Sequence, residues 1–466
     1  MSAARPRRTR GSSLTMVERR ELLVGIDVGT TRVKALAVTL DGTVVGESDE
    51  RTPWRHDGAC ADVDSDVLAD LSITLADRCL DDPRVTAGSV VRGIGVTGMA
   101  EAGALLDAHG RPCAPTLAWH DPRGLADPIR ARVTDAEFWR SCGVRLNSKP
   151  SLAKVLYLYD AYPGTRDRAV CHLSVSDWVL HAMGGEQVAE RSILSRSGLY
   201  DVLADRSWQP ATDLVGPLVP ERIVWAGEPA GTVGDRAPER LRGATLTAAG
   251  LDHESAAFAM GAMRLGVLTD SLGTAEALLR LFPPVDRDSM ARLVEGDIGI
   301  GWGIVPGYLC TVGGLLTGLS LERMAALLGL TDRDRRRAVS LQALELDRRS
   351  VPFHIAETSH EGLTLSGVTE GLTPAMAWRA AVDDLIALST DLIDFIESVI
   401  GPRTEAMVTG GWSHDPTVAQ AKRRQLGDYS TSSITEAAAM GAAYFGGIAA
   451  GALERPGPDE HPTWLI

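Results

Sequence analysis

Apolar residues first appear along this chain in short dense runs bounded by turn residues, not in helical stripes. LLVGIDVG begins at Leu22 and ends in Asp-x-Gly, VKALAVTL follows after Thr-Thr-Arg, and Asp41-Gly42 precedes TVVGE. Runs of this length with tight-turn signals between them predict three consecutive antiparallel strands. SVVRGIGVTG predicts another buried strand, and GALLDAHG a strand with a turn. From roughly 130 to 240 the pattern loosens and Pro, Arg and Asp increase; Ser151 to Tyr159 and Val175 to Met183 are candidate helices there. PERIVWAGEPAGTVGDRAPERLRG is Pro- and Gly-rich, which predicts a loop with a domain boundary near its end.

Beyond that loop the opening pattern returns. GVLTDSLGT followed by EALLRLF repeats the strand, Asp-containing turn and strand of GIDVGTT and VKALAVTL. Two such starts half a chain apart suggest a duplicated domain with a cleft between the copies, although Asp-x-(x)-Gly-Thr turns are common in themselves. The clearest helix runs from Pro374 to Ile400. Thr373 suits its cap and Pro374 its first position, while Val382, Leu385, Ile386, Leu392, Ile393, Ile396 and Val399 recur at three- and four-residue steps. Gly401-Pro402 stops it. AMVTGGWSHDP then reads as a strand ending in a glycine pair, and EAAAMGAAYFGGIAAG as a small-residue helix suited to close packing.

Composition narrows the class. A chain of 466 residues predicts two large domains, and 44% apolar residues with only 5% aromatics favour layered α/β packing. A formal charge of −14 argues against a nucleic-acid partner, which would need basic residues against phosphates. The six cysteines show neither C-x-x-C spacing nor a disulfide framework, which fits free thiols in a reducing cytoplasm. Residues 1–20 are Arg-rich without an apolar core, so they read as a disordered leader, not a secretory signal. No stretch reads as a membrane span, since the best candidate, around Val382 to Ile400, contains five carboxylates.

Four segments could carry chemistry. In Asp27-Val28-Gly29-Thr30-Thr31, glycine admits a polyanion to the backbone, the threonines add donors, and a carboxylate at a strand end can hold Mg²⁺. A plain hairpin turn would look the same. Ser271-Leu272-Gly273-Thr274 offers similar donors from the second half. Gly93 to Gly98 satisfies G-x-G-x-x-G, but no long helix follows, so a dinucleotide site is not the reading. Asp252, between an apolar strand and a small-residue helix, is either a base for a hydroxyl proton or part of a plain helix start, with Asp252 or Ser255 capping a helix that runs to Met263. Trp119-His120-Asp121-Pro122-Arg123 sets an aromatic face, a carboxylate and a guanidinium together, as sugar recognition needs or as a surface loop with a core Trp presents. Glu101 could reach the same pocket.

In this order GIDVGTTRVKA, GIGVTGMAEAGALLD, PTLAWHDPRG, GLDHESAAFAMGA, DSLGTAEAL, VTGGWSHDP and EAAAMGAAYFGG resemble the FGGY carbohydrate kinase family, from about Leu22 to Gly451. The resemblance implies an α/β fold of two duplicated actin/Hsp70/hexokinase-like (ribonuclease H-like) domains with an interdomain cleft. It divides the chain into 21–244 on the acceptor side, 245–455 on the nucleotide side and a tail at 456–466. It implies ATP and Mg²⁺ as cofactors, phosphorylation of a small sugar or polyol, and a homodimer. By position Asp27 would hold the metal, with Gly29, Thr30 and Thr31 near the phosphates and Asp252 as general base. Gly273, Thr274, Gly313, Gly314, Gly410 and Gly411 would serve the nucleotide, and Glu101, Trp119, Asp121, Arg123 and His253 the acceptor. The sequence departs from the family pattern at Ala100-Glu101, where glycerol kinases carry Arg-Glu. It departs again at Ala189-Glu190-Arg191-Ser192, where Thr-Asp-x-Ser is expected, and at AKRRQLG, where Ala-Asp is missing. An actin-like ATPase or a kinase-fold sugar sensor is the alternative reading.

Overall fold

Leu22, Val24, Ile26 and Val28 point to one side of the first strand and Leu23, Gly25 and Asp27 to the other, the period-two pattern of a strand buried on both faces. In the computed structural model, which describes residues 20–359, 361–462 and 464, this strand is β1 (Glu21–Val28). The leader read over 1–20 lies outside the described residues but for Arg20. β1 pairs antiparallel with β2 (Arg32–Thr39), and β2 with β3 (Val44–Arg51), as the turn signals predict. β4 (Val90–Gly98) joins parallel to β1, and β5 (Thr245–Leu251) parallel to β4. The sheet order is β5-β4-β1-β2-β3.

The second sheet repeats this plan. β6 (Val267–Leu272) and β7 (Glu276–Phe282) form the hairpin, and β8 (Ile298–Trp302) and β9 (Leu309–Leu315) extend it antiparallel beyond β7. β10 (Glu405–Thr409) joins parallel to β6 on its other side, giving β8-β9-β7-β6-β10. The duplication inferred from the two Asp-containing turns is therefore present in the strand pairing. The division read from the sequence lies between 244 and 245; the strand that begins there, β5, hydrogen-bonds into the first sheet, and the second sheet begins at Val267.

Helices α1 (Ser65–Arg78) and α2 (Val175–Ala182) cover one face of the first sheet and share a core with Leu22, Val24, Ile26 and Val28. Between β5 and β6 lies α3 (Asp252–Ala259). The long helix α4 (Pro374–Ile400) has the predicted bounds, with Thr373 Oγ1 accepting from Met376 N–H at 3.3 Å and Gly401 ending it at φ +88°. Its apolar stripe packs into the core of the second sheet. After α5 (Pro416–Leu426), the small-residue helix α6 (Ala437–Ala449) crosses back and covers the other face of the first sheet.

That contact is unusually close. A Cβ on Gly25, Gly93 or Gly95 would lie 1.8, 2.0 or 1.9 Å from the carbonyl oxygens of Ala439, Gly446 and Ala442 respectively. The first two glycines of the G-x-G-x-x-G match therefore admit a helix backbone, not a pyrophosphate, and Gly98 packs against Val28 and Val175. The tail returns to the same unit: Leu265 N–H donates to Pro458 O at 2.9 Å and the Trp464 ring stacks on Tyr444 at 4.4 Å. A separate apolar core, around Phe138, Leu152 and Trp208, builds the insert between β4 and β5. Among the described residues no helix is long and apolar enough to cross a membrane, and the six cysteines are free.

Because the added carbon would meet main chain, which cannot rotate away, Gly95→Val should destabilise the protein by about 3 kcal/mol or more. Gly362→Ala, where a Cβ would meet nothing within 4 Å, should shift stability by less than about 0.5 kcal/mol. Urea unfolding of both variants checks the contrast.

Candidate active site

Asp252 owes its position to an irregularity in β5. The strand keeps register with β4 through Ala248 and resumes it only at Leu251, a bulge that bends the chain toward the cleft. Gly250 sits there at φ +75°, and a Cβ on it would lie 2.4 Å from Ile304 and 2.7 Å from Ser192 Oγ. Thr97 Oγ1 donates to Gly250 O at 2.6 Å from the neighbouring strand. Leu251 N–H donates to Ser192 Oγ at 3.0 Å, and Ser192 Oγ donates in turn to Glu190 Oε2 at 2.6 Å. The departure Ala189-Glu190-Arg191-Ser192 thus gains a structural role. Glu190 also accepts from the N–H groups of Ser192 and Ile193 and is fully buried.

Asp252 opens α3, which ends at Ala259 and so falls short of the Met263 expected from the sequence. Its Oδ1 accepts from the adjacent His253 N–H at 2.7 Å. Asp27, near the end of β1, stands close by: burial and then the Asp252 charge push its carboxyl well above the usual range, while Lys34 opposes them. Asp27 Oδ1 is buried without a hydrogen-bond partner. Lys34 is itself paired with Glu436 at 2.5 Å. The Gly29-Thr30-Thr31 turn is held by Thr52 Oγ1 on Gly29 O, Trp54 Nε1 on Thr30 O and Trp119 Nε1 on Thr30 Oγ1, at 2.7, 2.7 and 2.9 Å.

The glycine turns of the second half converge on one end of their sheet. Gly273 and Thr274 join β6 to β7, Gly313 and Gly314 pair with Leu278 and Ala277 near the end of β9, and Gly410 follows β10. They interlock through main chain: Leu319 N–H donates to Thr274 O at 2.7 Å, and a Cβ on Gly410 would meet Leu272 O at 2.3 Å. Gly411 and Trp412 line a smaller cavity of about 180 Å³ with Arg336, whose guanidinium lies 5.0 Å from the Trp412 ring centre.

Beneath the hairpin lies a sealed ionic cluster. Lys422 Nζ is 2.6 Å from Asp270 Oδ2, 2.7 Å from Glu276 Oε1 and 3.1 Å from Ser389 Oγ, and all three charged side chains are fully buried. Thr317 Oγ1 donates to the other oxygen of Glu276. Burial would raise the Glu276 pKa, but the Lys422 ammonium outweighs it and holds the carboxyl below its ordinary value. Lys422 lies in AKRRQLG, where the sequence departs from the family pattern, and it pairs with Glu276 of the matching stretch DSLGTAEAL.

Two adjoining cavities of about 440 and 230 Å³ separate the two sheet ends. Both are lined by Glu101, Trp119 and His253; Thr30 and Asp252 line the smaller, and Gly313 and Gly314 the larger. Asp121 and Arg123 are placed elsewhere. Asp121 is fully buried, accepting from Ala61 N–H at 2.8 Å and from Arg123, whose guanidinium also reaches Asp62 at 3.0 Å. The pair braces the loop that carries Trp119 and is not part of the cavity wall. Sequence reasoning missed three cations near the cleft. Arg196 Nε donates to Glu101 Oε1 at 3.1 Å, and Lys149 lies 5.1 Å over the Trp119 ring. Lys154 donates to Trp119 O at 3.0 Å and is buried enough to lower its pKa to about 8.

The N-terminal domain model of the FGGY family of carbohydrate kinases matches residues 22–258, just over half of the chain. This chain belongs to that family. Over 458 residues it is 24% identical to a glycerol kinase of Janthinobacterium sp. (strain Marseille), covering 92% of this chain and 90% of that one. An L-fuculokinase of Salmonella typhi is 26% identical over 94% of each chain. Among solved structures, Plasmodium falciparum glycerol kinase with ADP superposes with a TM-score of 0.81 at 14% identity, covering 94% of this chain and 91% of that one, a likeness of fold. This FGGY-family chain is an ATP-dependent carbohydrate kinase.

In such a kinase the bulge at Gly250 sets where Asp252 points. Ser192→Ala removes the acceptor of Leu251 N–H, so turnover should fall about tenfold to a hundredfold, with a stability loss of about 1–3 kcal/mol; steady-state rates and urea unfolding measure both. Lys422→Met strands two buried carboxylates and should cost about 3–5 kcal/mol. Adding Asp270→Asn and Glu276→Gln to it should recover part of that loss in the same unfolding measurement, because no buried charge is then left unpaired.

Proposed function

We propose that this chain transfers the γ-phosphoryl group of MgATP to a hydroxyl of a small sugar, sugar alcohol or related polyol, with Asp252 as general base. The observation that carries the reading is the placement of Asp252 beside Asp27 at the end of the first sheet, across the cavities from the glycine turns of the second. Asp252 takes the proton of the acceptor hydroxyl as its oxygen attacks the γ-phosphorus. The new P–O bond forms as the bond to the β-phosphate bridge breaks, and ADP leaves with that electron pair.

Main-chain N–H groups at Gly29–Thr31 and Gly273–Thr274 hold the phosphates and meet the charge that develops on the transferring group. The orphaned Oδ1 of Asp27 suits a hard cation or a water in its shell. Bound there, Mg²⁺ would offset charge on the phosphate oxygens. Glu101, His253 and the Trp119 face contact the acceptor. The Trp119 N–H is already spent on Thr30, so that residue both braces the phosphate turn and presents its ring to the substrate.

The test is ADP release with MgATP over a panel of ketopentoses, ketohexoses, pentitols, tetritols and cyclitols. One class should stimulate release strongly, and Asp252→Asn should lower that rate by about 10²–10⁴-fold while ATP still binds. Undiminished turnover in Asp252→Asn would remove the base assignment. ADP release indifferent to every acceptor would favour an ATPase, and acceptor binding without phosphorylation a sensor.

A further inference from the structure

Arg196 is the cleft residue that the fold accommodates most deliberately. It follows the short helix Arg191–Leu194 and reaches across to the edge strand of the second sheet. A Cβ on Gly299 of β8 would lie 1.9 Å from Arg196 Nη1, so that strand yields the space its guanidinium occupies. Nε donates to Glu101 Oε1, yet Nη1 is buried and has no partner. A guanidinium stays charged at any working pH, so an orphaned N–H on it is a donor awaiting an acceptor. Glu101 is held at φ +59°, a strained backbone for a non-glycine residue, of the kind that persists where surrounding structure fixes a functional side chain. The two side chains are only 18% and 13% exposed, and both line the cavity that contains Asp252.

Resting on the kinase reading above, we propose that Arg196 with Glu101 determines acceptor specificity, and that the acceptor is an uncharged compound presenting two adjacent hydroxyls to the pair, not a sugar acid. A hydroxyl can accept from Arg196 and donate to Glu101, and two neighbouring hydroxyls satisfy both groups at once. A carboxylate on Arg196 would instead stand beside Glu101 and near Asp252, against two like charges. The other cations offer it little. Arg145 is occupied by Asp297 at 3.2 Å, Lys154 is spent on carbonyl oxygens, and Lys149 rests over the Trp119 ring. Of the charged groups lining this cavity, Arg196 and Glu101 cancel and Asp252 is opposed by Lys149, so no cation is in surplus to hold a carboxylate.

Steady-state kinetics with pentitols and ketopentoses, set against aldonic acids of equal chain length, tests this in wild type, Arg196→Met and Arg196→Lys, with acceptor binding followed by calorimetry. The neutral compounds should exceed the acids by about tenfold or more in kcat/KM. Arg196→Met should raise the acceptor KM by about tenfold or more while the ATP KM moves less than about twofold, with Arg196→Lys between. An acceptor analogue lacking one of the two hydroxyls should lose affinity for wild type and lose little more in Arg196→Met. An unchanged acceptor KM in Arg196→Met, or preference for the acid, overturns the proposal. If a neutral polyol binds wild type, binds Arg196→Met more weakly and is never phosphorylated, the kinase reading fails and the recognition role stands. If no neutral polyol binds at all, the proposal fails.

Discussion

Ala439, Ala442 and Gly446 bring the backbone of α6 against Gly25, Gly93 and Gly95 at a distance no side chain would permit. Because α6 follows the second sheet in the chain but covers the first, the polypeptide crosses between the two halves twice, once at α3 and once before α6. The two crossings are packed on each other: Ser255 Oγ donates to Ala438 O at 3.1 Å, and a Cβ on Gly441 would lie 2.0 Å from Ser255 O. The helix that begins with Asp252 is therefore clamped by α6, and α6 by the sheet that ends in Asp27. Both carboxylates stand on one rigid layer. The glycine turns that face them belong to the other sheet, so the cleft between the sheets is where the two sets of groups meet.

Local signals made much of this legible. The strand hairpins, the duplicated Asp-containing turns and the bounds of α4 rest on periodicity, caps and breakers within a few residues of each other, and the structure returns them nearly unchanged. The glycines at 93 and 95 were visible, but their meaning was not, since the helix that needs them lies at the far end of the chain. The same limit governs the site. Trp119, Asp121 and Arg123 look equally fit for a sugar, yet Ala61 N–H and Arg123 absorb the Asp121 carboxylate and only the Trp119 ring is left to the cavity. Arg196 carries no motif, and its partner Glu101 is 95 residues away in sequence. Lys422 was legible only as part of a departure and Glu276 not at all, because a compensating charge pair shows itself when two distant segments are packed together.

The duplicated halves use corresponding aspartates in opposite ways, and this asymmetry bears on what the cleft can bind. Asp27 and Asp270 both sit near the end of the first strand of their sheet, just before a Gly-Thr turn. Asp270 is fully buried against Lys422, which it shares with Glu276; burial and the Glu276 charge raise its pKa to about 7 while Lys422 opposes them. Asp27 keeps one oxygen unanswered beside Asp252, and the nearest cation, Lys34, is shared with Glu436. An unanswered pair of carboxylates raises the cost of bringing in a polyphosphate unless a cation comes with it. In the second sheet the turns offer N–H groups and the two buried carboxylates share the buried Lys422, so that barrier is lower. On the mechanism proposed above, a phosphate chain would lie on the second sheet, with its cation drawn to Asp27 and its terminal group toward Asp252. On that reading, Lys422 is what would separate a donor side from an acceptor side in two copies of one strand plan.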